Sequence, residues 1–347
     1  MTSNIDLTIT NADVMSMELD SIIFSELEAG ETLGVDMTVY DGDNSTVIDT
    51  WFNTYYADNR GNITLADLAR VWNNYILYRR RVSGEESESP SLTMGGIKVK
   101  ITLTEEDDTT TTIYRRVWYS TKHDGMTVAN LNARFPFVAR HKRTFPDAME
   151  MVYVAGPTQE TVTVTASYVQ GTHVGATSYS PAVFDSGDFG YCFIVSPSAV
   201  SLQIPNGARL VSYEVRVGIL TCTYDIEDGN YAQRTQFHYM NRWGAYESLW
   251  CVGSDKWTIS RNAEHGYCGN ELLSLDIDVS DTYEVSTGYV DTAVLEQLRD
   301  LAESPSVWIY DGRWWKVAVK EVKMERERPS NRARSATITY NYAKRNM

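Results

Sequence analysis

A chain of 347 residues exceeds what one hydrophobic core usually serves, so two or three domains are expected. Its 43% hydrophobic and 22% charged residues exclude a disordered chain. A formal net charge of -15 repels phosphates and anionic headgroups, which argues against nucleic acid as a partner, and no apolar run is long enough for membrane insertion.

The first residues, "MTSNIDLTIT", carry neither a positive n-region nor an apolar stretch, so synthesis without Sec-type export is expected. "YDGDNSTVID" then offers Asp41, Asp43 and Asp49, but Thr46 and Phe52 stand where an EF-hand needs its Gly and its last acid. A solvated turn, or at most a loose calcium loop, is the reading. In "TLADLARVWNNYILYRRR" the apolar residues Leu65, Leu68, Val71, Trp72, Tyr75 and Ile76 recur at spacings of three and four. Thr64 and Asp67 resemble a capping box, so an amphipathic helix over about 65–78 is predicted. The acidic, Ser-rich stretch about 79–92 reads as a mobile loop.

Strand signals take over downstream. "GIKVKITL" alternates cleanly, and the polar run Glu105–Thr112 between two such stretches predicts a hairpin tip. "TVTVTASYV" and "RLVSYEVRVGILTCTY" supply further strands, and "SATITYNYA" closes the chain. Within "FHYMNRWGAYESLWCVGS", Phe237, Tyr239, Tyr246 and Trp250 can pair across strands around a turn at Asn241–Gly244. Packing is the plain reading of these aromatics, with Trp243 at the turn the member expected to protrude toward a neighbouring subunit or a sugar. "DTAVLEQLRDLAESP" predicts a second helix over about 292–303, ended by Pro305. The fold class is therefore mainly β, with multi-domain antiparallel β-sandwich or barrel units and two short amphipathic helices. The domain plan is an N-terminal β region 1–154, a central sandwich 155–230 and a C-terminal β unit 231–347.

Chemistry is weakly signalled. There is no G-x-S-x-G elbow and no phosphate loop, His123, His141, His173, His238 and His265 stand without a partner motif, and His265 with Cys268 lacks zinc-finger spacing. Any two of 46 acids could form a glycosidase pair by chance. Cys192, Cys222, Cys251 and Cys268 are scattered, which reads as buried free thiols in a reducing cytoplasm. No catalytic residue, cofactor or metal site is assigned, and a non-enzymatic protein is expected.

Charge is placed unevenly. From Arg313 to the end ten basic residues stand against three acidic ones, a balance of +7, and the 21 basic and 43 acidic residues upstream leave -22. The basic tail could pair with acidic loops such as Glu105–Asp108 or Glu85–Glu88 of another copy, or simply protect an edge strand.

"FHYMNRWGAYESLWCVGS" and "TGYVDTAVLEQLRDLAESPSVWIYDGRWWKVAVKEVKMERERPSNRARSATITYNYA" are similar to the C-terminal part of structural proteins from phages and prophages of Bacteroidetes. "TYYADNRGNITLADLARVWNNYI" resembles an N-terminal segment of the same proteins. The resemblance covers about a third of the chain. It implies a tail-associated, distal-tail or baseplate-like protein of the virion, assembled in the bacterial host cytoplasm. Such a protein forms a homo-oligomeric ring or adaptor that joins other tail or baseplate proteins or carries host-binding proteins. Candidate interface residues are Trp243, Trp250, Trp314 and Trp315 with Arg326, Arg328, Arg332 and Arg334. The alternative is a carbohydrate-binding or adhesin-like module for a host-surface glycan, stacking sugars on those four tryptophans; a third reading is a hydrolase with an unrecognised carboxylate pair.

Overall fold

Alternating burial along the strands builds three β units, described by a computed structural model for all residues except 1, 8–10, 42–45, 83–87, 91–95, 123–126, 129–138, 156–160, 184, 188, 230, 269, 291–293, 325–334 and 344–347. The N-terminal unit is a five-stranded sheet in the order Asn11–Met15, Thr110–Trp118, Gly96–Thr104, Thr32–Tyr40, Val47–Tyr56. Its first pair is parallel and the others antiparallel. Every second residue of "IKVKITL" enters the core: Ile97, Val99, Ile101 and Leu103 are fully buried. The hairpin tip forms as expected, with the Glu105 N–H donating to the Thr109 carbonyl at 2.9 Å.

Helix α1 runs Leu68–Val82 and buries Trp72 and Ile76 against this sheet's core. It starts later than its periodicity predicts, because Ile63–Leu65 is a strand. Instead of a Thr64 and Asp67 box, Asp20 caps it from a distant loop. Its carbonyl accepts the Leu68 N–H at 3.0 Å and its carboxylate accepts the Ala69 N–H at 3.1 Å. Asp67 takes φ 59 to admit that approach. The expected mobile loop overlaps the last turn of α1, and residues 83–87 and 91–95 lie outside the described residues.

The central unit is a sandwich. A five-stranded sheet in the order His173–Tyr179, Val162–Gln170, Arg209–Val217, Leu220–Ile226, His141–Thr144 faces a three-stranded one, Met151–Ala155, Gly190–Ile194, Asp185–Gly187. Two of these strands lie upstream of the expected boundary at 155. The run "MVYVA" is buried throughout because it separates two cores. Val152 and Val154 face the sandwich, and Met151, Tyr153 and Ala155 belong to the N-terminal core. The short helix α2, Pro197–Ser201, buries Pro197 and Val200.

The C-terminal unit is a seven-stranded sheet in the order Tyr246–Cys251, Thr235–Met240, Val307–Tyr310, Trp314–Met324, Ala336–Tyr342, Glu271–Ser286, Asp255–Cys268. Helix α3, Val294–Glu303, begins close to its predicted start and covers the sheet with Leu298 and Leu301. No helix among the described residues is long and apolar enough to cross a membrane.

Candidate interaction surfaces

The Asn-Arg-Trp-Gly turn joins Thr235–Met240 to Tyr246–Cys251. Asn241 organises it: its N–H donates to the Ala245 carbonyl at 2.7 Å, and its Oδ1 accepts the N–H groups of Trp243 and Ala245 at 3.0 and 3.2 Å. Trp243 does not protrude. It is 9% exposed and shares one buried cluster with Trp72, Trp118 and Tyr119 of the N-terminal unit. The Thr121 N–H donates to the Arg242 carbonyl at 3.1 Å, fixing the turn to that unit. Trp250 is buried too, edge-on to Phe145 with ring centroids 4.6 Å apart. Their partners are thus in the same chain, which corrects both as candidate subunit or sugar contacts.

Trp314 and Trp315 are half-buried neighbours on one strand, so their rings point to opposite faces and form no common platform. Trp314 packs edge-on to His238 at 4.7 Å, and Trp315 lies under the Arg313 guanidinium at 4.1 Å. Arg326, Arg328, Arg332 and Arg334 lie outside the described residues.

A buried polar seam fastens the central unit to the C-terminal sheet. Glu150 accepts hydrogen bonds from Thr144 Oγ1 at 3.0 Å, Ser248 Oγ at 2.5 Å and Gln236 Nε2 at 3.3 Å. Glu247 accepts from Asn241 Nδ2 at 2.8 Å and Gln297 Nε2 at 3.4 Å, with Lys142 Nζ at 4.0 Å. Burial raises both carboxyls above the ordinary range, opposed by Lys142. Burial on its own pulls Lys142 down, yet Glu247, Cys222 and Glu150 together outweigh it and keep it charged. His238 is pushed down to about 3 by burial and then by the Lys142 charge, so it stays neutral. Among the described residues neither of its ring nitrogens has a hydrogen-bond partner.

Two raised carboxyls are what a hydrolase would display. Here each is occupied by donors of its own chain, and the adjoining cavity beside Lys142, Ser248 and Gln297 holds about 50 Å³, too little for a sugar ring. The arrangement links residues of the central unit, Glu150 and Lys142, to Ser248, Gln236 and Glu247 of the C-terminal sheet. Sequence reading missed it because nothing local separates Glu150 and Glu247 from the other acids.

The other sequence candidates are dispersed. Asp41 pairs with Arg79, Asp49 accepts from the Tyr75 hydroxyl, and Asp43 lies outside the described residues. Among the described residues, no group of three His, Cys, Asp or Glu side chains is placed to hold a metal ion. Cys192, Cys222 and Cys251 are buried, but Cys268 is exposed, because its strand-like context belongs to a hairpin with solvent on both sides.

That hairpin is a surface the sequence did not single out. Asp255–Cys268 and Glu271–Ser286 pair along their whole length, yet only Tyr283–Ser286 pairs onward, to the Ala336–Tyr342 strand. The remainder projects as a two-stranded arm. The register puts Trp257, Ile259, Arg261 and Ala263 directly opposite Tyr283, Asp281, Val279 and Ile277, all on one face. The other face carries Lys256, Thr258, Ser260 and Asn262 opposite Glu284, Thr282, Ser280 and Asp278, every one polar. The apolar face continues the core face of the seven-stranded sheet, where Val285 is buried and Tyr283 stacks on Tyr340 at 5.5 Å. Among the described residues nothing covers it beyond the sheet: Trp257, Ile259, Ile277 and Val279 are 57%, 56%, 51% and 56% exposed.

A second apolar surface lies at the far end of the chain. Between α1 and the edge strand Val47–Tyr56 runs a groove of about 450 Å³, lined by Met37, Val39, Trp51, Leu68, Val71 and Trp72.

No protein-family model and no curated protein matches this chain. Among solved structures it is similar to the Bacteroides ovatus mixed-linkage glucan utilization locus protein SGBP-B in complex with mixed-linkage heptasaccharide. That similarity has 10% sequence identity and a TM-score of 0.13, over 80% of this chain and 66% of that chain. The chain thus spans just under two thirds of that structure's length, and a TM-score so low carries no argument about fold or ligand.

Proposed function

We propose that this chain is a non-enzymatic structural component of a phage tail or tail-like particle, a homo-oligomeric ring or adaptor that joins tail parts or carries host-binding proteins. Its partners are further copies of itself and other tail or baseplate proteins, and its place is the virion, after assembly in the bacterial host cytoplasm. The observation that carries this reading is the arm Asp255–Ser286, whose apolar side chains Ile259, Ile277 and Val279 lie at alternate positions on one face and are more than half exposed. An isolated two-stranded ribbon is at best marginally stable, and an exposed, contiguous apolar face marks a surface to be covered by protein. The buried seam and the Trp243 turn support the same reading, since they weld three units into a stiff building block. The resemblance of the closing stretches to Bacteroidetes phage structural proteins supplies the tail assignment.

Negative-stain microscopy of the purified protein tests it. Rings or discrete multimers are expected, and their incorporation into tails can be followed by expressing the neighbouring genes. Monomers that join no particle would refute it.

A second reading, a glycan-binding module, is favoured by one feature. Where the arm leaves the sheet, a concavity of about 340 Å³ is lined by Trp257, Tyr283, Tyr310 and Tyr342 with Asp255 and Asp311, rings and carboxylates of the kind that hold sugars. These are not the tryptophans the sequence pointed to.

A further inference from the structure

We propose that the apolar face of the arm of one copy docks in the groove between α1 and the Val47–Tyr56 edge strand of a second copy. The inference rests on the self-assembly reading above and names the two surfaces that meet.

The two surfaces match in chemistry. Trp257, Ile259, Ile277 and Val279 lie on one face of the ribbon with Arg261 and Asp281 set among them, and the groove presents Met37, Val39, Trp51 and Val71 in a hollow with room for two or three apolar side chains. They also match in charge. The arm Asp255–Ser286 holds seven acidic residues against two basic ones, a balance of -5. Helix α1, which forms one wall of the groove, holds Arg70, Arg79, Arg80 and Arg81 and no acid, and Asp49 on the facing strand Val47–Tyr56 brings the balance of the two walls to +3. Arg79 is engaged by Asp41. Two arms packed face to face would bring like charge together, whereas arm on groove brings opposite charges together.

The two surfaces also lie on different units of the chain, the groove on the first and the arm on the last. Arm-to-groove contact is therefore heterologous, and repeating it gives a ring if the rotation closes and a filament if it does not. The open edge of Val47–Tyr56, which pairs with no further strand among the described residues, adds backbone donors and acceptors beside the groove.

The test is sedimentation velocity of the full-length protein with Ile259→Asp and Val279→Asp together on the arm, and with Val71→Asp in the groove. All three positions are solvent-exposed, so melting curves should stay close to wild type; Trp51→Ser replaces Val71→Asp if the latter does not fold. Each variant is expected to raise the concentration needed for assembly by more than about tenfold. A mixture of arm variant and groove variant is expected to give heterodimers that grow no further, since each pair retains one intact contact. If wild type assembles and both variants assemble equally well, the docking is wrong and the structural function stands. If the arm variant fails to assemble but the mixture gives no heterodimer, arm-to-arm packing replaces it. A wild type that stays monomeric and binds oligosaccharide through an intact arm would overturn both this inference and the function on which it rests.

Discussion

Arg242 grips Asp300 with two nitrogens, Nη2 at 2.6 Å from Oδ1 and Nε at 2.8 and 3.0 Å from the two carboxylate oxygens. The Asp300 side chain is fully buried, and Lys122 Nζ lies 3.9 Å from it. Helix α3 and the Asn-Arg-Trp-Gly turn are joined here, so the pair fixes the direction in which Trp243 enters the N-terminal core. Removing one partner of a buried pair leaves an uncompensated charge. Arg242→Ala should cost about 3 kcal/mol in urea unfolding. Adding Asp300→Ala should recover part of that loss; a double variant no better than the single one would show that the ion pair is not the source.

Trp243 makes the turn a plug between units. Trp243→Ala should destabilise by about 3–5 kcal/mol, the cost of emptying a large aromatic site. It should also speed amide exchange at Trp118–Thr121 more than in the central sandwich. Uniform exchange changes would argue against a plug.

Gly244 is required by two independent constraints. Its φ of +83 disfavours any side chain, and an added Cβ would lie 2.9 Å from the Tyr119 Cβ. Gly244→Ala should cost about 1–3 kcal/mol. A neutral effect on the urea midpoint would mean that the turn relaxes without disturbing the junction.

His238 gives the fold an acid-sensitive point. Its folded pKa of about 3 lies below the ordinary 6.5, so between those values the unfolded chain takes up a proton that the folded chain refuses. Stability from this group is complete above 6.5 and drains away as pH falls toward 3. Glu150 and Glu247 act in the opposite sense: their raised folded pKa makes their contribution fall as pH rises above the ordinary carboxylate value. Comparing wild type with His238→Phe separates the two. From pH 6.5 to pH 5 the wild type should lose about 2 kcal/mol more than the variant. Parallel pH profiles would show that His238 is protonated in the folded state.

The mainly β architecture was legible because strand alternation is a local signal, as in Ile97 to Leu103. The apolar stripes of α1 and α3 were legible for the same reason. What escaped depends on partners distant in sequence. The cap of α1 comes from Asp20, the double burial of Met151–Ala155 comes from cores on both sides, and Trp243 is buried by a unit that the turn itself cannot reveal. The arm escaped differently. Trp257 and Ile259 on one strand and Ile277 and Val279 on the other are modest signals alone, and become one apolar face only when the register aligns them. Of the candidate residues, the tryptophan sites proved internal or half-buried, and the amphipathic arm replaced them as the surface to explain.

On the proposed function, these exposed apolar surfaces exist to meet other protein. Sedimentation velocity of the wild-type chain over a wide range of concentrations tests this most directly. Discrete species larger than the monomer, growing with concentration, are the expected result. A single monomeric boundary throughout, unchanged by low salt, would contradict it.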